Sequence, residues 1–195
     1  MTPNLNLCDF MINYNKTTIH SIMADDIYFY RASERPYGVF SNLYRRELVF
    51  EGELYPTAEH AYQAGKARKP AVKAWLMSAP SPALLAMAAH GLYYWDIAPG
   101  WSTTKFNRMK QVLLAKFTTS DDLRELLLST GDRRLVEAAT TDTPVNRLWG
   151  EVNGNGKNML GVLLMEVRQE LREVVQKSAV RRKTPSKRAS AGTQG

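Results

Sequence analysis

A single cysteine, Cys8, leaves no partner for a disulfide within the chain. The three histidines, His20, His60 and His90, are scattered and do not spell a zinc site, so neither a metal nor another cofactor is expected. No apolar run approaches the ~18 residues that a membrane-spanning helix needs. Met1 to Asp25 carries Asp9 near its start and has no apolar core, so neither membrane insertion nor export is expected, and the expected location is cytoplasmic. Acid is missing from the C-terminus: Lys177, Arg181, Arg182, Lys183, Lys187 and Arg188 follow one another with no Asp or Glu among them. The formal charge of +7 therefore belongs to this tail, and the remainder of the chain is almost neutral.

What is present suits one self-sufficient domain: 195 residues, 44% of them hydrophobic and 23% charged. Residues 1–25 are polar and Asn-rich and read as an N-terminal extension. Residues 26–176 hold the domain, and residues 177–195 read as a basic, disordered tail. The tail is either a nonspecific phosphate-binding arm for nucleic acid or a solubilising extension.

The patterning predicts an α+β fold, predominantly helical, with a small N-terminal β-sheet. Ile27 to Tyr30 reads as a strand, and Glu47 to Tyr55 as a hairpin turning at Glu51-Gly52. Thr57 is a candidate N-cap for a helix reaching about Arg68. Further helices are expected over 70–78, 81–89, 104–117 and 121–129, the last closed by Gly131, followed by a short strand at Leu135-Val136-Glu137. A final helix from about Lys157 to Gln176 aligns Leu160, Leu164, Val167, Leu171 and Val174 in one apolar stripe for the core.

Three segments could carry chemistry. At ~100° per residue, Glu59, Gln63 and Lys66 fall within about 60° of one helix face. They form either a solvated charged face or a site offering a carboxylate, an amide and an amine. Tyr55, Tyr62 and Trp101 nearby would suit a base-and-sugar ligand. Gly154 and Gly156, with Lys157, precede the last helix and are either a phosphate-binding turn or simply Asn-Gly turns.

Many ordered matches resemble the NADAR family, an N-glycosidase family associated with NAD and ADP-ribose. They include Phe40-Ser41-Asn42, Tyr55-Pro56-Thr57 with Glu59-His60, Gln63 and Lys66, and Trp101 with Lys105 and Met109. Lys116-Phe117, Leu135-Val136-Glu137, Asp142, Trp149-Gly150, Gly156-Lys157-Asn158, Leu160-Gly161, Leu164-Met165 and Arg168 continue the series. The similarity runs from about Ile27 to Leu171. It implies a hydrolase that breaks the bond from ribose C1 to a base nitrogen. The expected substrate is an early ribosylaminopyrimidine phosphate of riboflavin synthesis or ADP-ribosylated guanine, either as a small molecule or on nucleic acid. The six residues Thr143 to Leu148 depart from the family pattern in length, which bears on the rim of the pocket and on substrate identity.

On this resemblance Glu59, Lys66 and Asp142 are the candidate catalytic residues. Glu59 in the first turn of its helix is expected to be ionised and to serve as a base or electrostatic stabiliser. Lys66 is either a nucleophile forming a Schiff base with the opened sugar or a fixed cation for phosphate. Asp142 is either a second carboxylate, binding ribose or moving a proton, or a turn residue. Trp101 and Trp149 either stack on the ligand or pack in the core. Ser41, Asn42, His60, Gln63, Gly150, Gly156 and Asn158 complete the expected substrate shell. The alternative from another class is a noncatalytic nucleotide or nucleic-acid binding module using the basic tail.

Overall fold

A computed structural model describes residues 25–183. The N-terminal extension up to residue 24, with Cys8 and His20, and the last part of the tail, residues 184–195, lie outside the described residues.

Four short strands and seven helices make up the described chain, and the fold is α+β with helix predominating. Strand β1 (Ile27–Phe29) pairs in parallel with β4 (Leu135–Glu137), opposite Leu135 to Glu137 in register. Strands β2 (Arg45–Phe50) and β3 (Glu53–Thr57) form an antiparallel hairpin. Its turn is where the sequence places it, because Glu51 and Gly52 both take positive φ, 53° and 80°, the conformation that suits a two-residue hairpin. The sheet is thus two separate two-stranded pieces, and only one strand of the β1/β4 pair is N-terminal.

The helices are α1 (Ala58–Ala64), α2 (Pro70–Met77), α3 (Pro82–His90), α4 (Trp101–Thr119), α5 (Asp121–Ser129), α6 (Pro144–Trp149) and α7 (Met159–Lys183). Proline opens α2, α3 and α6, where its missing N–H costs nothing. Thr57, Ser81 and Thr143 each accept a backbone N–H at the start of α1, α3 and α6. Gly131 follows the end of α5 at φ 62°, as the pattern predicts. Among the described residues no helix is long and apolar enough to cross a membrane.

Several boundaries differ from expectation. Helix α1 stops at Ala64, short of Arg68, because Arg108 donates to the carbonyls of Ala61 and Tyr62 and the chain beyond turns away to pair with residues 96–98. There Ala98 donates to the Lys66 carbonyl and Arg68 to the Asp96 carbonyl, each at 2.8 Å. Helix α4 begins at Trp101, three residues before expectation, after Gly100 at φ 76°. Trp101 is therefore inside the first turn. Helix α6 was not expected, although Thr143-Pro144 has the same opening chemistry as Ser81-Pro82. Helix α7 runs on to Lys183, into the basic tail.

The core forms where α4 and α7 pack together and against α1 and the strands. Phe40, Val112, Leu113, Phe117, Leu164 and Val167 are wholly enclosed. Gly161 lets α7 close on β4, since a Cβ there would stand 2.1 Å from the Leu135 carbonyl oxygen. The apolar stripe of α7 stays buried through Leu171, but Val174 is 59% exposed because α7 has by then passed the elements it packs on.

Candidate active site

All seven residues of α1 are buried, an unusual environment for Glu59, His60 and Gln63. The reading of Glu59 and Gln63 as a solvated face therefore does not hold: their exposures are 8% and 2%. Both side chains line a cavity of about 850 Å³ enclosed by α1, the 41–43 segment, the ends of α3 and β4, the start of α4 and α6. Ser41, Asn42, Lys66, Trp101 and Trp149 line it as well. Seven of the residues singled out in the sequence thus share one space.

The floor is acidic. Glu59 Oε1 accepts a hydrogen bond from Gln63 Nε2 at 2.8 Å. Burial pushes the Glu59 carboxyl above the usual carboxylate range, while the Gln63 hydrogen bond and the Lys66 charge pull it down. The expected ionising effect of the helix N-terminus is thus overridden: it is worth about 0.3–1 kcal/mol, whereas enclosing a carboxylate costs several kcal/mol.

The second carboxylate on the floor is Glu137, which the sequence reading placed in a strand and among the family matches without giving it a role. The residue is partly buried and lines the cavity. Burial first, and the Glu59 charge second, push Glu137 up to about 7. Its sequence signals are its place in the Leu135-Val136-Glu137 match to the family and its position directly after a buried pair, at the end of a strand.

Lys66 lies just past α1, with its backbone N–H still donating to Gln63. Its ammonium donates to the Ala89 carbonyl near the end of α3. Burial lowers its pKa, the Glu59 charge opposes that, and Lys105 adds to it. His90, also on the cavity wall, is held below its ordinary value by burial and by Lys66.

Tyr62 sits between the two tryptophans, 5.0 Å from the Trp101 ring and 5.6 Å from Trp149. Both tryptophans pack on the core and also line the cavity. Three further cations line the cavity, Arg31, Arg68 and Lys105, and none has an ion-pair partner among the described residues. Behind the wall, the fully buried Lys116 donates to the carbonyls of Val39 (2.6 Å) and Ser41 (3.0 Å), fixing the turn that presents Ser41 and Asn42.

Five expected site residues lie outside the cavity lining. Asp142 is exposed and held in a two-pronged pair with Arg147 at 2.6 and 2.7 Å, so it does not join Glu59 and Lys66. His60 is buried, with Nδ1 2.7 Å from Thr57 Oγ1, within the cap of α1. Asn158 clasps β4: Oδ1 accepts from the Glu137 N–H at 3.1 Å and Nδ2 donates to the Leu135 carbonyl at 2.7 Å. Gly150 lets its strand-like neighbour approach, since a Cβ would stand 2.3 Å from the Glu137 carbonyl oxygen. Gly156 is pressed on Gly150 in the same way. The amides of Lys157 and Asn158 donate to the carbonyls of Arg147 and Gly150 and so are not free for a phosphate. Asn158 and Gly150 thus touch the backbone of Glu137. Among the described residues no three His, Cys, Asp or Glu side chains gather as a metal site.

The NADAR domain family matches residues 28–172, which contain every element of this cavity. The chain is 34% identical over 154 residues to the N-glycosidase YbiA of Shigella flexneri, covering 78% of this chain and 93% of that protein. An N-glycosidase of Nostoc punctiforme is 37% identical over 152 residues, covering 76% and 94%. A riboflavin biosynthesis protein of Vibrio vulnificus is 31% identical over 154 residues, 78% of this chain but 40% of that one. The NMR structure of Escherichia coli YbiA superposes with a TM-score of 0.66 at 31% identity, covering 86% of this chain and 94% of that one. Sequence and fold agree, and the chain belongs to the NADAR domain family.

Proposed function

We propose that the chain is an N-glycosidase hydrolysing the bond between ribose C1 and a base nitrogen in a phosphate-bearing ribosylated compound. The observation that carries this reading is the pair Glu59, which is buried, and Glu137, which is partly buried, two carboxyl groups with raised proton affinity lining one cavity. N-glycoside hydrolysis needs a proton for the leaving nitrogen and negative charge or a base opposite the developing oxocarbenium ion. The upward shift of Glu137 has no opposing hydrogen bond or cation, so it keeps the proton and acts as the acid. Glu59 receives the Gln63 N–H and lies near Lys66, so it is the partner that ionises first, to steady the sugar cation or draw a proton from water. The N-glycosidase names of the relatives support the same reaction class.

Trp101 and Trp149 stack against the base, and Arg31, Arg68 and Lys105 supply charge for phosphate. Lys66 has two roles open to it. As a neutral amine, favoured by its burial, it bonds to C1 as the C1–N bond breaks and the base leaves with a proton; the amine then loses its protons as C1–O4′ opens to a Schiff base and a free 4′-hydroxyl, and water hydrolyses the Schiff base to release the sugar and Lys66. As an ammonium it holds phosphate. Borohydride reduction during turnover leaves a covalent adduct on Lys66 only in the first case.

The riboflavin name of one relative favours a ribosylaminopyrimidine phosphate met in the cytoplasm. A substrate carried on a nucleic-acid strand, such as ADP-ribosylated guanine in DNA, draws support from another feature. Tyr93 and Trp95 stack at 4.7 Å on the surface beside Tyr94, a residue of the cavity, and flanking bases could lie on them. Mass spectrometry after separate incubation with the two compounds decides: released pyrimidine supports the first and released ADP-ribose the second. Silence on both removes the glycosidase reading in favour of a nucleotide-binding module.

A further inference from the structure

Two carbonyls at the end of α1 are taken by a side chain of α4. The guanidinium of Arg108 shares its Nε–H between the carbonyls of Ala61 (3.2 Å) and Tyr62 (3.1 Å), and one terminal nitrogen donates to Ala61 again at 2.7 Å. The other terminal nitrogen donates to both carboxylate oxygens of Glu51 in the hairpin turn at 2.9 Å, and the Phe50 ring lies 4.9 Å away. Gly65 makes the room, since a Cβ there would stand 2.2 Å from Arg108 Nε.

In a helix that ran on, the Ala61 and Tyr62 carbonyls would accept the N–H groups of Gly65 and Lys66. Here each of those N–H groups moves to the next carbonyl along, Gly65 donating to Tyr62 at 3.3 Å and Lys66 to Gln63 at 3.0 Å, so the last turn tightens and the helix ends. The chain leaves strand-like, with Ala67 opposite Ile97, the Lys66 carbonyl accepting from Ala98 and the Arg68 N–H donating to Asp96. Side chains alternate along such a stretch. Lys66 and Arg68 accordingly both line the cavity, while Ala67 between them packs on Leu76, Leu85 and Ala89. A continued helix would set residues 66 and 68 ~200° apart, on opposite faces.

We propose that Arg108 is a positioning residue which, in the room left by Gly65, ends α1 at Ala64 and so delivers Lys66 and Arg68 to the cavity together. The chemical roles of those two cations rest on the N-glycosidase reading, whereas their placement does not.

The Lys66 amine reports its own placement. Competitive acylation of the full chain across pH, with the Lys66 peptide followed by mass spectrometry, needs no substrate. Burial holds that amine below the ordinary lysine value of 10.5, with Glu59, Lys105 and His90 as its titratable neighbours. In Arg108→Met and in Gly65→Ala the midpoint is expected to move up toward 10.5 as Lys66 reaches solvent. Arg108→Met removes a charge, whereas Gly65→Ala keeps it and displaces only the end of a flexible side chain, so agreement between the two isolates the geometry. Gly65 has φ −78°, which alanine adopts freely, and this variant is expected to fold even if Arg108→Met does not. An unchanged midpoint in folded Gly65→Ala, or a Lys66 that titrates at 10.5 in the unaltered chain, overturns the inference, because lost stability alone leaves Lys66 in place in the folded molecules. Turnover is scored separately. If the unaltered chain hydrolyses a ribosylated substrate, kcat/KM should fall about tenfold to a hundredfold in both variants, and hydrolysis untouched by either substitution overturns the inference as well. An unaltered chain that hydrolyses nothing removes the glycosidase reading, and the Lys66 midpoint then decides the role of Arg108.

Discussion

Asn158 holds Glu137 by its backbone, its Oδ1 accepting the Glu137 N–H at 3.1 Å while its Nδ2 reaches past to the Leu135 carbonyl. One buried amide thereby closes the edge of β4 and sets where the Glu137 carboxyl enters the cavity. Asn158 does so from a positive φ of 49°, a conformation that asparagine tolerates better than most residues.

Asn158→Ala should therefore act at a distance. Losing both hydrogen bonds leaves a buried N–H and carbonyl unpaired, and a cost of about 2 kcal/mol is expected in urea unfolding. Because Asn158 positions Glu137 without lining the cavity, kcat should fall while KM changes little, a split that a purely structural role would not produce in the folded fraction.

Glu137→Gln and Asp142→Asn separate the two carboxylates that could partner Glu59. The first should lower kcat by about 10² to 10⁴-fold, the range for loss of a general acid or base, with the fold intact. The second should leave activity within about threefold, since exposed ion pairs such as Asp142 with Arg147 contribute little. The reverse ranking would return Asp142 to the active centre.

The raised pKa of Glu137 makes a stability prediction with a definite sign. Between the ordinary carboxylate value of 4.5 and about 7 the folded chain binds more protons than the unfolded one at this site. Its contribution to stability is thus fully present below that window and is lost as pH rises through it. Subtracting the unfolding free energy of Glu137→Gln from that of the unaltered chain across pH 4.5 to 7.5 should give a difference that falls with pH. A difference that rises or stays flat would remove the argument from a raised carboxyl.

Lys116 predicts the opposite slope above neutrality. Burial lowers its pKa to about 7, so between there and 10.5 the unfolded chain binds more protons and stability rises with pH. Lys116→Met should abolish that rise. It should also weaken substrate binding, because the Val39 and Ser41 carbonyls that hold the Ser41-Asn42 turn lose their donor. An unchanged KM would show that the turn holds its place unaided.

Much of the local structure was legible. Pro70 announces α2 and Ser81-Pro82 announces α3, Glu51-Gly52 announces the hairpin turn, and the spacing from Leu160 to Leu171 announces the buried face of α7. Among the candidate site residues, those on one helix turn, Glu59 and Gln63, were brought together by periodicity alone. Glu137 was not, because a three-residue strand carries no periodicity and its parallel partner lies more than a hundred residues earlier. Asp142 was the second carboxylate that the sequence suggested, yet it is exposed and paired with Arg147, five residues on.

By itself the sequence determined the helical character of this protein, its family and the cluster of polar groups on α1, since all three are written in short-range spacing and ordered motifs. Only the tertiary structure decided which carboxylate faces Glu59, and that Glu59 holds its proton more tightly than a helix N-terminus would suggest. Both depend on which atoms exclude water from the cavity floor, and desolvation is set by packing between distant segments.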